Sequence, residues 1–301
     1  YDQMGVGQVM GIAKRPRDKW KEQVLTTFEE EDVGQAVQGR EVKTYEVPID
    51  EALLAHKRAE LHQMIGLGTV KAEIDKMIEL MRYYRRENHS TEKLMNHTLL
   101  IGKPGTGKTE VGRVLAGIYQ ALGLLERGDL IEVDRSDLVG SHIGETEKLT
   151  AGQIERAMGS ALFIDEAYTL ASGGENDFGK KAGEVLMKKM SDRQGEFLLI
   201  AAGYEKEMNR FLDSNPGLRR RFGLTLHFED YTPKELMEIT DLYSKGYTVT
   251  DEVKRALVRH YEELYARRDS TFGNAGLAKK IATEMTRKVD YRLAVASNEQ
   301  G

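Results

Sequence analysis

The sequence predicts an α/β fold in which a parallel sheet is covered by helices on both faces, followed by a small all-helical domain. Three observations carry this reading. Five short apolar runs alternate with amphipathic helical patterns; the runs are apolar along almost their whole length; and strand signals stop after Phe228 while helical periodicity continues. A strand buried on both faces shows an unbroken apolar run, and helices between such strands supply the crossovers that parallel pairing needs.

In chain order, residues 1–50 are irregular, with a basic stretch from Lys14 to Lys21 and an acidic one from Glu29 to Asp32. They read as a solvated arm or linker; the alternative is a docking arm anchored by Trp20. Residues 51–230 read as the α/β core. From about Ile49 the pattern is helical, with Val70, Ile74, Met77, Ile78 and Met81 on one face. The strand candidates are Thr98 to Ile101, Leu130 to Val133, Ala161 to Ile164, Phe197 to Ala202 and Leu224 to Phe228, with Val111, Leu115, Ile118 and Leu122 forming a helix after the first. Residues 231–301 read as the helical domain. Thr232-Pro233-Lys234-Glu235 has a threonine cap, a proline in the first turn and a glutamate placed to reach back. Leu236, Ile239 and Tyr243 continue that helix; Val253, Leu257, Tyr261 and Leu264 mark a second, and Leu277, Ile281 and Met285 a third.

Composition narrows the function. The 301 residues are 40% hydrophobic and 31% charged, which suits a packed core under a charged surface. A formal charge of −5 gives no basic excess of the kind expected for a duplex-binding protein, so nucleic acid is not the expected partner. The absence of cysteine removes disulfides, thiolate metal sites and cysteine nucleophiles. No apolar run approaches the roughly 20 residues that span a bilayer, and no leader pattern opens the chain, so a cytoplasmic protein is expected.

The strongest chemical signal is GKPGTGKT, Gly102 to Thr109, which fits G-x-x-x-x-G-K-S/T between a strand and a helix. Glycines let the backbone curl so that amides face phosphate oxygens, and the helix presents its positive end. Lys108 would reach the β- and γ-phosphates of ATP, and Thr109 would help hold Mg2+. Gly105 and Gly107, with Pro104, Thr106 and Glu110, complete the nucleotide-contacting set. The run Ala161-Leu162-Phe163-Ile164 ends in Asp165-Glu166. Burying this strand beside the first would bring Asp165 to the metal shell and let Glu166 polarise the attacking water. Asn215 to Phe222 contains Arg219, Arg220 and Arg221. On charge and spacing alone this is equally a basic surface turn or a finger that reaches the γ-phosphate held by a neighbouring subunit.

These segments, FIDEAY at Phe163 to Tyr168, AAGY at Ala201 to Tyr204, SNPGLRRRF at Ser214 to Phe222 and the stretch Ala121 to Gly140, resemble one subgroup of AAA+ ATPases. That subgroup includes red-type Rubisco activase, the stage V sporulation protein K-like ATPases and the type VII secretion ATPase. The resemblance spans roughly Ile65 to Met285. It implies a five-stranded P-loop core with a helical lid, assembled as a hexameric ring of identical chains around a client protein. It also implies that Lys108, Glu166, Arg221 and Arg220 act in catalysis, with Arg219 a weaker finger candidate. Ile65 and Gly66 lie in the segment that packs on adenine.

Three places depart from the family pattern. The sensor position on the strand before the finger, commonly a polar Asn or Thr in AAA+ proteins at large, is Gly203-Tyr204 here as in the resembling subgroup, which makes Tyr204 the sensor candidate. The lid arginine that follows an Asn-Ala pair is replaced by Gly276, leaving Lys279 as the candidate substitute. The pore-loop aromatic is replaced by His142, followed by Ile143 and Gly144; glycine lets such a loop swing while a flat ring grips a polypeptide. The expected function is a Mg-ATP-driven remodeller of a partner protein. The alternatives are a nucleic-acid motor or loader and a slowly hydrolysing assembly switch.

Overall fold

The computed structural model describes residues 47–87, 97–142, 144–171, 178–213 and 216–298. The expected arm, with Trp20, lies outside the described residues except for its last few positions.

Two helices precede the sheet. Helix α1 (Glu51–Gln63) begins at Asp50, whose carboxylate accepts from Leu53 N at 2.9 Å. Such a cap satisfies one of the orphan amides of the first turn. Helix α2 (Gly68–Arg86) buries Val70, Ile74, Met77, Ile78 and Met81, the five residues whose spacing predicts it. The core then alternates strand and helix: β1 (His97–Gly102), α3 (Lys108–Ala121), β2 (Leu130–Val133), α4 (Arg135–Leu138), α5 (Glu145–Arg156), β3 (Ala161–Ile164), a 3-10 turn (Ala167–Ala171), α6 (Gly179–Asp192), β4 (Leu198–Gly203), α7 (Glu205–Asp213), α8 (Pro216–Arg219) and β5 (Phe222–Phe228).

The sheet has five parallel strands in the order β2-β3-β4-β1-β5. Each of the three inner strands sends alternate side chains to opposite layers. Leu100, Phe163 and Ile200 join Ile74, Ile78, Leu115 and Ile118 on one face. Leu99, Ile101, Leu162, Ile164 and Leu199 join Leu138, Ile154, Leu186 and Met208 on the other. This two-sided burial is why the runs look continuous in sequence.

Two expectations are corrected. The strand ending in Asp165 is not beside the first strand, because β4 runs between them. The acids still line the same cavity as the loop after β1, because β1, β3 and β4 run parallel and end at one edge of the sheet. The last strand starts two residues earlier than its apolar run suggests. It is an edge strand paired only with β1, and Thr225 and His227 are exposed on its open face.

The C-terminal helices are α9 (Pro233–Tyr243), α10 (Asp251–Ala266) and α11 (Asn274–Asn298). Thr232 and Glu235 form a reciprocal capping box with Pro233 in the first turn. Helix α11 packs on α9 through Ala278 and Ala282, which are fully buried, whereas Leu277 and Ile281 are only partly covered. The face is thus turned about one residue from the leucine–isoleucine stripe, because alanine lets two helix backbones approach closely.

His97 opens β1 in the core. Its Nδ1 accepts from Leu199 N at 2.9 Å, and Phe197 and Phe222 pack on the ring. Burial, reinforced by the charge of Arg221, lowers its pKa to about 3. The neutral ring therefore stabilises the fold above the unfolded value near 6.5, and that contribution is lost as pH falls toward 3. His97→Asn keeps an acceptor but cannot titrate. Thermal unfolding between pH 7 and pH 3.5 is expected to show a shallower loss of Tm in the variant; parallel curves would contradict the assignment.

Candidate nucleotide site

At the carboxyl edge of the sheet, the loop between β1 and α3 turns through Gly105 (φ +68°) and Gly107 (φ +90°). A side chain at Gly105 would place its first carbon 2.5 Å from Gly273 O and 3.1 Å from Gly276 N, so glycine is required by both conformation and space. Lys108 Nζ donates to the carbonyls of Gly102 at 2.9 Å and Lys103 at 2.7 Å. Partial burial lowers its pKa, while Asp165 and Glu166 raise it, so a half-buried cation faces a pair of acids. No side chain caps the start of α3, which leaves its first amides to face the cavity.

The resulting cavity of about 320 Å³ is lined by Pro104, Gly105, Gly107, Lys108, Thr109 and Glu110 from the loop and α3. Asp165 and Glu166 line it from β3, Gly203 and Tyr204 from β4, and Ala275 from α11. Thr106 is buried beneath, its hydroxyl donating to Lys103 O at 2.8 Å. Asp165 accepts from Glu166 N at 2.9 Å, and Glu166 holds a left-handed backbone at φ +46°. A glutamate pays for that conformation with about 1 kcal/mol of strain, a feature that concentrates at functional sites. Free amides at a helix start, one half-buried lysine and paired acids fit a magnesium–polyphosphate. Thr109 and Asp165 are the residues that would hold the ion.

The remaining predicted residues fall elsewhere. Ile65 packs into the apolar cluster of the C-terminal helices with Tyr231 and Leu236. Gly66 (φ +65°) sits where a side chain would meet Glu235 Oε1 at 2.6 Å. Lys279 is not brought to the cavity: its Nζ lies 5.3 Å from the centre of the Tyr243 ring, and Gly276 offers open space instead of a side chain. Arg219 is held by Asp213 at 2.9 Å and by Asn209, whereas the guanidinium groups of Arg220 and Arg221 make no hydrogen bond or ion pair with the described residues; the Arg221 amide donates to Leu218 O at 3.0 Å. Both precede β5, at the amino edge of the sheet. Since His97 pairs with Phe222 and Gly102 with Phe228, they stand a strand's length, about 20 Å, from the cavity. His142 and Gly144 are exposed in the turn before α5, where Glu145 accepts from Ser141 N and His142 N; Ile143 lies outside the described residues.

A junction that sequence reasoning missed ties the cavity to the C-terminal helices. Asp230 accepts from Lys103 Nζ at 2.6 Å and Asn274 Nδ2 at 3.0 Å and pairs with Arg268 at 3.2 Å. Burial alone would raise its pKa, but these bonds and charges hold it below the ordinary carboxylate range. Asn274 is fully buried with φ +49°; its Oδ1 accepts from Tyr231 N at 2.9 Å, and the next residue's amide donates to Gly105 O at 3.0 Å. The one available signal is position: Lys103 stands inside the glycine-rich motif, and Asp230 just before the capping box.

Comparison with known proteins agrees with this geometry. Residues 98–230 match the ATPase family associated with various cellular activities (AAA), and residues 232–300 match the AAA lid domain. Stage V sporulation protein K of Bacillus subtilis is 40% identical over 223 residues, 73% of this chain and 67% of that protein. The chloroplastic ribulose bisphosphate carboxylase/oxygenase activase of Cyanidioschyzon merolae is 39% identical over 206 residues, 66% of this chain and 70% of the other. The ESX-3 secretion system protein EccA3 of Mycobacterium tuberculosis is 42% identical over 194 residues, 62% of this chain but 30% of its own length. A RuvB mutant from Thermotoga maritima superposes with a TM-score of 0.51 at 23% identity, covering 79% of this chain and 67% of that one, a likeness of fold. The chain belongs to the AAA ATPase family and carries both its P-loop core and its helical lid. It is an ATPase related to proteins named for sporulation, Rubisco activation and secretion.

Asn274→Ala would strand the Tyr231 amide and remove one donor from Asp230, at a cost of about 1–3 kcal/mol. Calorimetry is expected to show a Tm lowered by several degrees; an unchanged Tm would show that the junction contributes nothing to the fold.

Proposed function

We propose that this protein is a magnesium-dependent ATP hydrolase that works as a ring of identical chains, six by analogy with the family, and remodels a partner protein. The observation that carries the reading is the position of Arg220 and Arg221. They lie at the sheet edge opposite their own cavity, beyond the reach of an arginine side chain, and their guanidinium groups make no hydrogen bond or ion pair among the described residues. A transition-state cation placed there serves a neighbouring cavity.

In this reading Lys108, fixed on the Gly102 and Lys103 carbonyls, presents its ammonium to the β- and γ-phosphates. The first amides of α3 hold the phosphate oxygens. Thr109 and Asp165 hold magnesium, which when bound neutralises charge between the phosphates. Glu166 orients the attacking water and takes up its proton. The partner's arginine balances charge that develops on the transferred group, a contribution worth roughly 10³–10⁵ in rate. Ile65 and Gly66, beside the lid, flank the base. The exposed His142 and Gly144 support contact with a polypeptide client at the ring opening, and the net charge of −5 weighs against duplex nucleic acid.

A second reading, a slowly hydrolysing assembly switch, has one observation in its favour. Among the described residues no cation from the lid lines the cavity, and Lys279 lies over the Tyr243 ring instead.

Mixing two inactive variants tests the proposal. Glu166→Gln retains nucleotide but does not turn it over, and Arg221→Ala turns over poorly with near-normal affinity. Their mixture creates interfaces that combine an intact Glu166 with an intact Arg221, so a substantial fraction of wild-type turnover is expected to return. A mixture as inactive as its components would contradict a trans-acting arginine. Turnover is further expected to rise with an unfolded polypeptide; a rise with DNA alone would overturn the protein-remodelling reading.

A further inference from the structure

The residues that open the lid hold the phosphate loop by its carbonyls. Tyr231 OH donates to Thr106 O at 3.3 Å. Ala275 N, in the first turn of α11, donates to Gly105 O at 3.0 Å. Asn274 Nδ2 reaches Pro104 O at 3.4 Å, the longest of its three contacts. Three consecutive loop carbonyls are thus held from the lid side. Tyr231 is itself fixed, being buried and donating its amide to Asn274 Oδ1 at 2.9 Å. Burial pushes its hydroxyl pKa up to about 12, so the hydroxyl remains a donor. The amides of the same loop are not engaged in this way. Among the described residues, the N–H groups of Gly105, Thr106 and Gly107 donate no hydrogen bond. The peptides are trans, so each carbonyl points opposite to the N–H that follows it. Holding Gly105 O and Thr106 O toward the lid residues therefore turns the Thr106 and Gly107 amides away from them, in a loop whose Gly105, Gly107 and Lys108 wall the cavity.

Resting on the phosphate-binding role proposed for this loop, we infer that Tyr231 is a positioning residue: its hydroxyl, together with the Ala275 amide, sets the direction in which the loop amides meet phosphate oxygens. The loop sequence alone does not settle that direction. Gly105 (φ +68°) and Gly107 (φ +90°) flank Thr106, and glycine accepts either sign of φ at little cost, so the peptides on both sides of Thr106 can turn over. A peptide turned the other way would present its carbonyl, with a partial negative charge, where an anion needs an N–H. The Tyr231 bond opposes that turn at the Thr106–Gly107 peptide, and the Ala275 bond opposes it at the preceding one. The tyrosine also stands against Gly66, where a first side-chain carbon would lie 3.1 Å from Tyr231 Cε1. That contact offers a competing role on the base side, which a ligand without a base separates from a role at the phosphates.

Tyr231→Phe keeps the buried ring and removes only the donor to Thr106 O. On the full chain, equilibrium dissociation constants are measured for ATP and, by competition, for inorganic tripolyphosphate. The expected result is a Kd raised about threefold to tenfold, the scale of one neutral hydrogen bond, and raised by the same factor for both ligands. Tyr261→Phe is the control for a loosened lid. It removes a hydroxyl from the same apolar cluster, where Tyr261 OH lies 2.6 Å from Thr240 Oγ1, far from any loop carbonyl it could hold. This variant is expected to leave both constants unchanged. An unchanged Kd for tripolyphosphate in Tyr231→Phe, a loss confined to ATP, or an equal loss in Tyr261→Phe would overturn the inference. The wild type separates the two levels of the argument. If it does not bind tripolyphosphate, the reading of the loop as a phosphate site has failed; if it binds and Tyr231→Phe binds equally well, only the part given to Tyr231 has failed.

Discussion

In a parallel sheet every strand presents its carboxyl end to the same edge, and this one constraint organises the molecule. The ends of β1, β3 and β4 converge there, bringing the glycine loop, the Asp165–Glu166 pair and the Gly203–Tyr204 corner around a single cavity. The same constraint sends the residues before β5 to the far edge. Arg220 and Arg221 cannot serve the cavity of their own chain, because His97–Phe222 and Gly102–Phe228 mark opposite ends of one paired ribbon. In the proposed reading such a chain lacks in its own cavity only the cation that would stabilise the transition state, and carries that cation where a neighbour would use it.

The lid is joined to this edge by polar contacts as well as by apolar packing. Asp230 gathers Lys103 from the phosphate loop, Arg268 from the residues after α10 and Asn274 from the start of α11. Tyr231 OH donates to Thr106 O at 3.3 Å, and the amide after Asn274 donates to Gly105 O. A displacement of the loop by phosphate therefore acts directly on the first turn of the last helix. Such buried networks are sensitive to geometry because each member that loses its partner bears a desolvation cost.

Much of this was legible in the sequence wherever chemistry is local. The helix face from Val70 to Met81 is reproduced residue for residue, and GKPGTGKT identified the loop, because one side-chain period or one turn geometry sufficed. The capping box at Thr232 and Glu235 was equally readable. What escaped depends on residues brought together from far apart. The insertion of β4 between β1 and β3 has no sequence signal, and the Asp230–Asn274 bond joins positions 44 apart. Helix α11 turned toward Ala278 and Ala282 because close helix approach outweighed the larger buried area that Leu277 would offer.

The claim that a complete site exists only between chains is tested most directly by specific activity against concentration. ATP turnover per chain would be measured across a dilution series at saturating Mg-ATP, with mass followed in parallel by sedimentation. Turnover per chain should collapse as the assembly dissociates and track the fraction of chains that have a neighbour. Constant turnover per chain in a population shown to be monomeric would mean that the cavity is self-sufficient and that the arginines before β5 have no part in it.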